Sequence, residues 1–556
     1  MLSTYSYPKF EYVKPPEIRS GQTLRRPVVV VGAGPVGLTA AIDFSLRGLP
    51  VLLLDEDDTV SLGSRGVAYA KRSLEILDRL GVGDRVVDKG ISWNVGRTFA
   101  QDEEVYNFKL VPESDHKRPG MVNLQQYYLE QFLVERAAGL ENVELRWKNK
   151  VISVIQTDSS VILEVETPDG RYKVEADWVI AADGARSPIR NMLGLDIDGK
   201  VFKDRFLIAD VVMKADFPAE RWFWFDPPFY RGQSVLLHKQ ADNVWRIDFQ
   251  LGWQADPEEE KKPENVVPRI RAMLGDDREF ELEWVSIYTF QCRRLEEFRH
   301  GRVLFVGDSA HQVSPFGGRG ANSGIQDADN LGWKLKLIVE NLAPVSLLDS
   351  YTEERAFAAD ENILVTTQST DFITPKDKVS HMFRAAVLEL ARDYSFARQL
   401  VNSGRLSVPA FLTNSSLNTS DEDEFRGRMV PGAAIDDGPI SDGEQEGWLV
   451  DKTAGAFFVL YFVDDSSNVD DVTAEALKGL SLGGICVQPL IITAKPSPCL
   501  RNIASVVDSK GIVASRFDAR HGTAYLVRPD QHVAARWRVF DPTKVKSAVR
   551  RATCNA

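Results

Sequence analysis

A glycine-rich turn between an apolar run and a helical stretch constrains this chain more than any other feature. Residues 27–31 are mostly apolar, residues 32–37 read Gly-x-Gly-x-x-Gly, and a helical stretch covers residues 38–47. A second apolar run, 50–54, ends at Asp55, 23 residues after the first glycine. In such a unit the first glycine forms the turn, the second admits a pyrophosphate and the third lets helix and strand pack closely. The stretch predicts a dinucleotide-binding βαβ unit in which Asp55 accepts from ribose hydroxyls; a strand–turn–helix that binds no nucleotide is the alternative.

Composition excludes several classes of protein. The chain has 556 residues, enough for several domain-sized units, and a formal net charge of -13, which argues against a nucleic-acid or anionic-membrane partner. No run approaches the ~18 apolar residues of a membrane span. Residues 1–26 lack the apolar core of a signal peptide. The four cysteines, one of them Cys499, are too scattered for a disulfide framework or a metal site. We therefore expect a cytoplasmic protein without a bound metal.

A second strand–loop–helix unit follows much later in the chain. Residues 303–306 form an apolar run, Asp308 comes directly after it, and a loop rich in glycine leads from 314 to 320 into a helical stretch, 321–340. A carboxylate at a strand end can accept from hydroxyls, and a helix N-terminus faces negative charge. An ordinary connection with flexible glycines is the alternative.

Three motifs together resemble one family. The glycine turn at 32–37, the pair Asp183-Gly184 after an apolar strand, and the pair Gly307-Asp308 occur in the order and spacing of the class A flavoprotein monooxygenases. These are single-component FAD-dependent aromatic hydroxylases with the para-hydroxybenzoate hydroxylase fold. The resemblance covers residues 26–400 approximately, and it is strongest to the branch with phenol-type and 3-(3-hydroxyphenyl)propionate hydroxylases.

The resemblance implies a reaction and an α/β fold. FAD, reduced by NADH or NADPH, would react with O2, and a flavin hydroperoxide would hydroxylate a phenolic compound ortho to an existing hydroxyl. The fold would be a Rossmann-like FAD-binding domain interleaved with a β-sheet substrate domain, followed by a thioredoxin-like domain. A small aromatic substrate and a homodimer are the expected partners. A flavin enzyme of this fold with other chemistry, such as a halogenase or a dehydrogenase, and a flavoprotein without turnover remain alternatives.

The resemblance also assigns cofactor contacts by position. The pyrophosphate, the adenosine ribose, the ribityl chain and the isoalloxazine edge would be held by Gly32, Gly34, Pro35, Gly37, Asp55, Glu56, Arg65, Gln126, Asp183, Asp308, Pro315, Gly318, Gly320, Ala321 and Asn322. Gln125 is an alternative to Gln126. For Arg65 and Gln126, surface positions on ordinary elements are the alternative.

Aromatic residues crowd the segment from 202 to 291, where alternation predicts strands at 206–214, 234–238, 244–251 and 281–291. Such a sheet can cover a pocket for a flat ring. Candidate substrate contacts are Phe225, Arg246, Gln250, Tyr288 and Pro315, and candidate catalytic residues are His238, Tyr230 and Tyr69. For each aromatic residue of the sheet taken alone, a place in the core of the sheet is the favoured interpretation. Phenol hydroxylases carry an acid at the position of Val67, so the group that activates the substrate stays open.

The domain boundaries follow from these patterns. We expect an N-terminal arm (1–26), an FAD-binding domain in two parts (27–200, with a β-meander, and 296–412), a substrate sheet (201–295), a linker (413–426) and a C-terminal unit (427–556). That last unit resembles the thioredoxin-like domain of phenol-type hydroxylases. It lacks Cys-x-x-Cys, so we expect it to be redox-silent and to serve packing or dimerisation. Within it, residues 503–507 are predicted to be helical.

Overall fold

The computed structural model describes residues 4–111, 113–401, 406, 408–443, 445–465, 469–495 and 502–555. Residues 1–3 of the expected arm and Cys499 lie outside these ranges. In the described part of the chain, no helix combines the length and the apolar character that crossing a membrane requires.

The elements alternate between strands and helices in the first half and again near the end of the chain. The first group is α1 (Pro16–Ser20), β1 (Leu24–Val31), α2 (Pro35–Leu46), β2 (Val51–Leu54), β3 (Ala68–Ala70), α3 (Lys71–Arg79), α4 (Gly83–Lys89), β4 (Ile91–Trp93), β5 (Val95–Ala100), β6 (Glu103–Lys109), β7 (Met121–Asn123), α5 (Gln126–Ala138), β8 (Val143–Arg146), β9 (Lys150–Gln156), β10 (Val161–Thr167), β11 (Gly170–Ala181) and α6 (Pro188–Met192). The second is β12 (Asp198–Val212), β13 (Arg221–Phe225), β14 (Ser234–Lys239), β15 (Val244–Leu251), α7 (Pro257–Glu260), α8 (Pro263–Leu274), β16 (Glu281–Arg294), β17 (Arg299–His300), β18 (Val303–Phe305), β19 (His311–Gln312), α9 (Gly320–Val339), α10 (Asp349–Ile373), α11 (Lys378–Ala391) and α12 (Ser395–Val401). The third is β20 (Pro439–Ser441), β21 (Glu446–Trp448), α13 (Leu449–Lys452), β22 (Phe457–Val463), α14 (Asp471–Lys478), β23 (Val487–Thr493), β24 (Ala504–Val507), α15 (Ile512–Arg516), β25 (Ala524–Val527), β26 (Val533–Trp537) and α16 (Pro542–Ala552).

The first sheet is the nucleotide-binding type that the glycine turn predicts. Its main path runs β17-β18-β11-β1-β2-β8, with parallel pairing from β18 to β8. β9 and β10 form the antiparallel meander beside β11. β1 and β2 are buried along their final four residues, where α2 packs on the sheet. The carboxyl ends of β1, β2, β11 and β18 therefore meet at one edge.

The second sheet carries the aromatic segment. Its order is β19-β16-β12-β15-β14-β13-β5-β6, and all of its pairs are antiparallel except β13 with β5. One face, with Trp245 and Ile247, packs on α8 through Val266 and Ile270. Side chains alternate across a strand, so Arg246 and Asp248 lie on the other face. That face is turned toward the loops of the first sheet.

The third sheet lies in the C-terminal part and corrects one prediction. Its order is β21-β20-β24-β23-β22-β25-β26. Residues 503–507 are not helical: β24 pairs in parallel with β23, with Leu490 opposite Ala504. The short run Ser505-Val506-Val507 has β-branched residues that suit a strand, and pairing with an already formed strand determines its conformation.

Candidate functional site

The glycine turn between β1 and α2 has two glycines packed against backbone and one that faces open space. A Cβ on Gly32, whose φ is +106°, would lie 2.5 Å from the carbonyl oxygen of Ala182. A Cβ on Gly37 would lie 1.8 Å from the carbonyl oxygen of Gly32. Gly34 directly precedes Pro35, the first residue of α2, and has nothing within 4 Å of its Cβ position. The helix N-terminus therefore faces a cradle with room for an anionic group.

Asp55 and Glu56 differ in where their carboxylates point. Asp55 lies just past β2, where its side chain accepts hydrogen bonds from the backbone N–H groups of Ala33 and Asp57. Burial raises the pKa of Asp55. Glu56 is half-exposed and pairs with Lys150 at 2.7 Å. Only Asp55 is thus held against the glycine turn.

Two carboxylates at the same sheet edge keep acceptor atoms for a ligand. Among the described residues, none donates to the Asp308 carboxylate, which follows β18 and is exposed to the cleft. Desolvation by the surrounding protein raises the pKa of the Asp308 carboxyl group, while His311 and the guanidinium of Arg65 lower it. Asp183 follows β11; its Oδ2 accepts from the N–H of Ile189 at 2.9 Å, and its buried Oδ1 has no hydrogen-bond partner in the part of the chain that the structure describes.

A buried ionic cluster holds the turn that carries Asp308. Asp327 Oδ2 accepts from the N–H of Gly307 at 2.9 Å and contacts His311 Nε2 at 2.6 Å. Asp327 Oδ1 accepts from Arg355 Nε at 2.7 Å. Burial acts to raise the pKa of Asp327, but His311 and Arg355 lower it to about 2. Asp327 therefore stays ionised, and its hydrogen bond with Gly307 fixes the backbone beside Asp308.

The loop before α9 is locked onto the strand β3. Pro315–Gly317 forms a single helical turn, and Gly318 adopts a left-handed φ of +59°. Asn322 Oδ1 accepts from the N–H of Ala70, and Asn322 Nδ2 donates to the carbonyl of Ala68, both at 2.8 Å. Asn322 is therefore engaged by protein, and it positions the start of α9.

The glycine turn at 32–37 and the pair Gly307-Asp308 meet at the start of α9. A Cβ on Gly324 of α9 would lie 2.5 Å from Val36, and one on Gly307 would lie 3.0 Å from the same side chain. A Cβ on Gly320 would lie 3.9 Å from Asp308 Oδ1. The N-termini of α2 and α9 and the carboxylate of Asp308 therefore border one cleft.

A second loop, residues 61–66, closes the cleft from the side of α5. Gln126 Oε1 accepts from the N–H of Gly66 at 2.9 Å, and its Nε2 donates to Glu130 at 2.8 Å. The Cβ position of Gly66 lies 3.8 Å from Ala321. Gln125 donates instead to the carbonyl of Ala241. Gln126 thus holds the loop that presents the exposed side chain of Arg65.

Arg246 and Gln250 of β15 are both engaged by protein atoms. Arg246 forms a bidentate pair with Asp210, with both distances 2.8 Å, and also donates to the carbonyl of Ser64. Gln250 Oε1 accepts from the N–H of Ser234 at 3.0 Å. Arg246 therefore links the second sheet to loop 61–66.

His238 and Tyr69 lie on the cleft side. His238 Nδ1 is 3.0 Å from Asn123 Nδ2, and burial together with Arg246 lowers its pKa well below the ordinary range, so it is neutral. The Tyr69 hydroxyl is 3.4 Å from the carbonyl of Gly66. Tyr230 lies on the opposite side of the second sheet, edge-on to Phe249, where its hydroxyl donates to a backbone carbonyl at 2.9 Å.

A cavity lies between the second sheet, loop 315–319 and α10. Phe316 packs edge-on against Phe206 and Phe290, with centroid distances of 4.9 and 4.8 Å. Tyr288 is adjacent to Phe290, and burial raises its pKa to about 12. The cavity walls include Arg97, Tyr106, Arg221, Phe223, Phe225 and Phe316.

The charged residues of this cavity are arginines. Arg97 pairs with Glu220, and Arg319 donates to Asn362 at 2.5 Å. The single hydrogen bond of Arg221 among the described residues is a 3.4 Å contact with the carbonyl of Phe316. Burial lowers the pKa of Arg221 to about 10. Among the described residues Arg221 forms no ion pair, so its charge faces the cavity; Asp248 and Tyr106 oppose the lowering of its pKa.

The sequence interpretation missed two of these residues, Asp327 and Arg221, and also Asp248, which lies on the same face of β15 as Arg246. The alternation Arg221, Phe223, Phe225 places all three side chains on one face of β13 and would have identified Arg221 as a cavity residue. Asp327 lies in a helix with no local signal, because its partners come from β19 and α10.

The cleft fits FAD in its chemistry. The open space at Gly34, the two helix N-termini and the unpartnered acceptors of Asp183 and Asp308 suit a pyrophosphate and a hydroxylated chain. Gly34, Asp55 and Asp308 would hold these parts of the cofactor.

Comparisons with known proteins agree with this geometry. A family model described as FAD binding domain matches residues 25–365. A 3-(3-hydroxy-phenyl)propionate/3-hydroxycinnamic acid hydroxylase of Mycolicibacterium gilvum is 27% identical over 515 residues, 91% of this chain and 88% of the relative. A para-nitrophenol 4-monooxygenase of Pseudomonas sp. is 29% identical over 337 residues, 59% of this chain and 82% of the relative.

Solved structures give the same result for the fold. The flavin-dependent monooxygenase PieE, in complex with FAD and substrate, superposes with a TM-score of 0.78 at 24% identity, covering 96% of this chain and 100% of that one. The p-nitrophenol 4-monooxygenase PnpA of Pseudomonas putida superposes with a TM-score of 0.62 at 27% identity, covering 69% and 99%.

Proposed function

This chain belongs to the FAD-binding domain family and is a flavin-dependent aromatic hydroxylase, and we propose that it hydroxylates a phenol ortho to an existing hydroxyl group with NADH or NADPH as reductant. The observation that carries the proposal is the cavity between loop 315–319 and the second sheet. It adjoins the loop expected at the isoalloxazine edge, and aromatic rings and arginines line it.

The residues of the cleft divide into cofactor and substrate roles. We assign the pyrophosphate to the turn at Gly34, the ribose to Asp55 and the ribityl chain to Asp308. Bound FAD supplies electron transfer from the nicotinamide and the activation of O2. Arg246 and Gln126 act through the loop that they hold, and Tyr230 is left out of the site because it lies across the sheet.

Aromatic packing around Phe316 would keep water out of the cavity. Phe206, Phe290 and Phe223 surround its ring, and Phe225 packs edge-on against Phe372 of α10 at 5.6 Å. A dry site favours oxygen transfer to the ring over side reactions with water. A flat aromatic substrate would add one more ring to this cluster.

The C-terminal part is proposed to be thioredoxin-like and to support a homodimer. The order β22, α14, β23, then β25, β26 and α16, with β22 parallel to β23 and antiparallel to β25, supports this assignment. No Cys-x-x-Cys occurs in the sequence, so the proposed role is packing.

A panel of phenols tests the proposed function. Each phenol is incubated with the FAD-loaded protein, and NADH or NADPH oxidation, O2 uptake and product mass are measured. We expect a phenol to accelerate nicotinamide oxidation and to gain the mass of one oxygen at the ortho carbon. A product with halogen, or without added oxygen, would overturn the proposal. An inert aromatic without a hydroxyl, such as the matching anisole, is the control.

A further inference from the structure

One acidic residue, Asp248, lies on the cleft face of the second sheet between the two loops of the FAD cleft. On β15 it stands between Arg246, whose guanidinium reaches loop 61–66, and Gln250, which is opposite Phe206. Phe206 contacts Phe316 of loop 315–319. Alternation along β15 puts the three polar side chains on one face. Asp248 therefore faces the space that the two loops border.

The Asp248 carboxylate lacks the protein partners that its neighbours have. Its Oδ1 is buried and has no hydrogen-bond partner among the described residues. Arg246, two residues away, is neutralised by Asp210 at 2.8 Å. The cross-strand neighbours of Asp248 are the apolar Leu236 and Ile208. A buried acceptor without a donor is costly, so it suggests a donor that arrives with a ligand.

The charged and titratable groups around Asp248 come from each neighbouring strand. They are Arg221 on β13, His238 on β14, Arg246 on β15, Asp210 on β12, Tyr288 on β16 and, beyond Arg221, Tyr106 on β6. Burial raises the pKa of Asp248 to about 7, with Asp210 adding to the rise while Arg246 and Arg221 oppose it. His238 stays neutral, and its Nδ1 is engaged by Asn123. Near neutral pH, Asp248 can therefore both accept and return a proton.

We propose that Asp248 accepts the hydroxyl proton of the bound phenol and that Arg221 stabilises the phenolate that forms. The O–H bond of the phenol breaks, its proton forms an O–H bond with a carboxylate oxygen of Asp248, and the electron pair stays on the phenolate oxygen. The transfer leaves the net charge of phenol and Asp248 together unchanged, and no oxidant is needed. A phenolate is a more electron-rich ring than a phenol, which favours attack by an electrophilic oxygen. This inference rests on the proposed function, because it takes a phenol as the ligand.

Proton uptake on binding tests the inference without turnover. The oxidised, FAD-loaded protein is titrated with 4-nitrophenol at about pH 8, where this probe is largely an anion, in two buffers of different ionisation enthalpy. If Asp248 and the phenol share one proton, the wild type takes up nearly one proton per bound probe. Because binding takes up a proton, the Kd of the wild type for 4-nitrophenol should then rise by up to about tenfold per pH unit above about pH 8. Uptake of no proton by the wild type would overturn the inference by itself.

Variants separate Asp248 from other groups. Asp248→Asn should bind the anion with almost no proton uptake and with a Kd that does not change with pH. Asp248→Glu should restore proton uptake. Asp88 is an exposed acid on α4, and the control variant Asp88→Asn should match the wild type. Arg221→Gln should weaken binding of the anion at least tenfold but leave proton uptake in place. Equal uptake in wild type and Asp248→Asn would refute the role of Asp248 while leaving the proposed function intact. If no phenol of the panel binds or is oxidised, the proposed function fails, and this inference with it.

Discussion

Arg528 Nη2 donates to Glu354 Oε2 at 3.0 Å, and neither side chain has any exposed surface. Arg528 lies directly after β25, in the C-terminal part, whereas Glu354 lies on α10. The adjacent residue on α10, Arg355, holds Asp327 behind the turn of Asp308. The C-terminal part is therefore joined to the helix that supports the FAD cleft.

Removing Arg528 should destabilise the protein strongly. Arg528→Met leaves Glu354 buried with Lys334 as its remaining cation, and breaking a buried ion pair costs about 3–5 kcal/mol. Thermal unfolding of the FAD-loaded protein should show a lower midpoint and earlier flavin release. Lys544→Met is the matched control, since Lys544 pairs with Glu422 at the surface and should change little. Equal midpoints for the two variants would contradict the role of the pair.

Two glycines of the turn should respond differently to alanine. Gly37→Ala places a Cβ 1.8 Å from a backbone oxygen that cannot move aside, so we expect misfolding or a loss of at least about 1–3 kcal/mol. Gly34→Ala meets no atom within 4 Å, so the apoprotein should fold normally. Circular dichroism and flavin titration measure both effects. Since Gly34 faces the cofactor cradle, its variant should bind FAD at least tenfold more weakly; unchanged FAD affinity would contradict the cradle.

Loss of the Asp308 carboxylate should release the cofactor. Asp308→Ala removes a charge-assisted hydrogen bond worth about 1.5–3 kcal/mol, which weakens binding about 10- to 100-fold. We expect this variant to purify largely without FAD, as measured by the ratio of flavin to protein absorbance. Asp371→Ala, which loses only a half-exposed pair with Lys200, should keep its flavin. Full flavin occupancy in Asp308→Ala would refute the ribityl assignment.

The pH dependence of stability should change when Asp248 is neutralised. Its pKa rises from 3.8 to about 7 on folding, so the folded state holds a proton that the unfolded state releases. This group therefore lowers stability as pH rises from about 4 to about 7, by at most about 1.4 kcal/mol per pH unit. The free energy of unfolding of the Asp248→Asn apoprotein should exceed that of the wild-type apoprotein by an amount that grows across that pH range and then levels off. A constant difference between the two would contradict the raised pKa.

Local patterns were sufficient where a residue's role depends on its neighbours in the chain. The glycine turn at 32–37, the apolar runs that became β1 and β2, and the helix after Gly320 all follow from periodicity and backbone sterics. The same reasoning failed at residues 503–507, where pairing with β23 outweighed local preference. His238 shows the limit within a sheet. Alternation assigns side chains to two faces, but it does not say which face meets the cofactor.

The sequence by itself determined the family, the dinucleotide cradle and the position of Asp308, because those depend on short-range spacing that backbone geometry requires. Only the tertiary structure placed Arg221 in the cavity wall, put Asp248 on the cleft face of the second sheet and paired Arg528 with Glu354. Arg528 and Glu354 are 174 residues apart in the chain, and Arg221 and Asp248 lie on different strands. The energy of a charged group depends on its burial and on the charges near it, and a local sequence pattern shows neither.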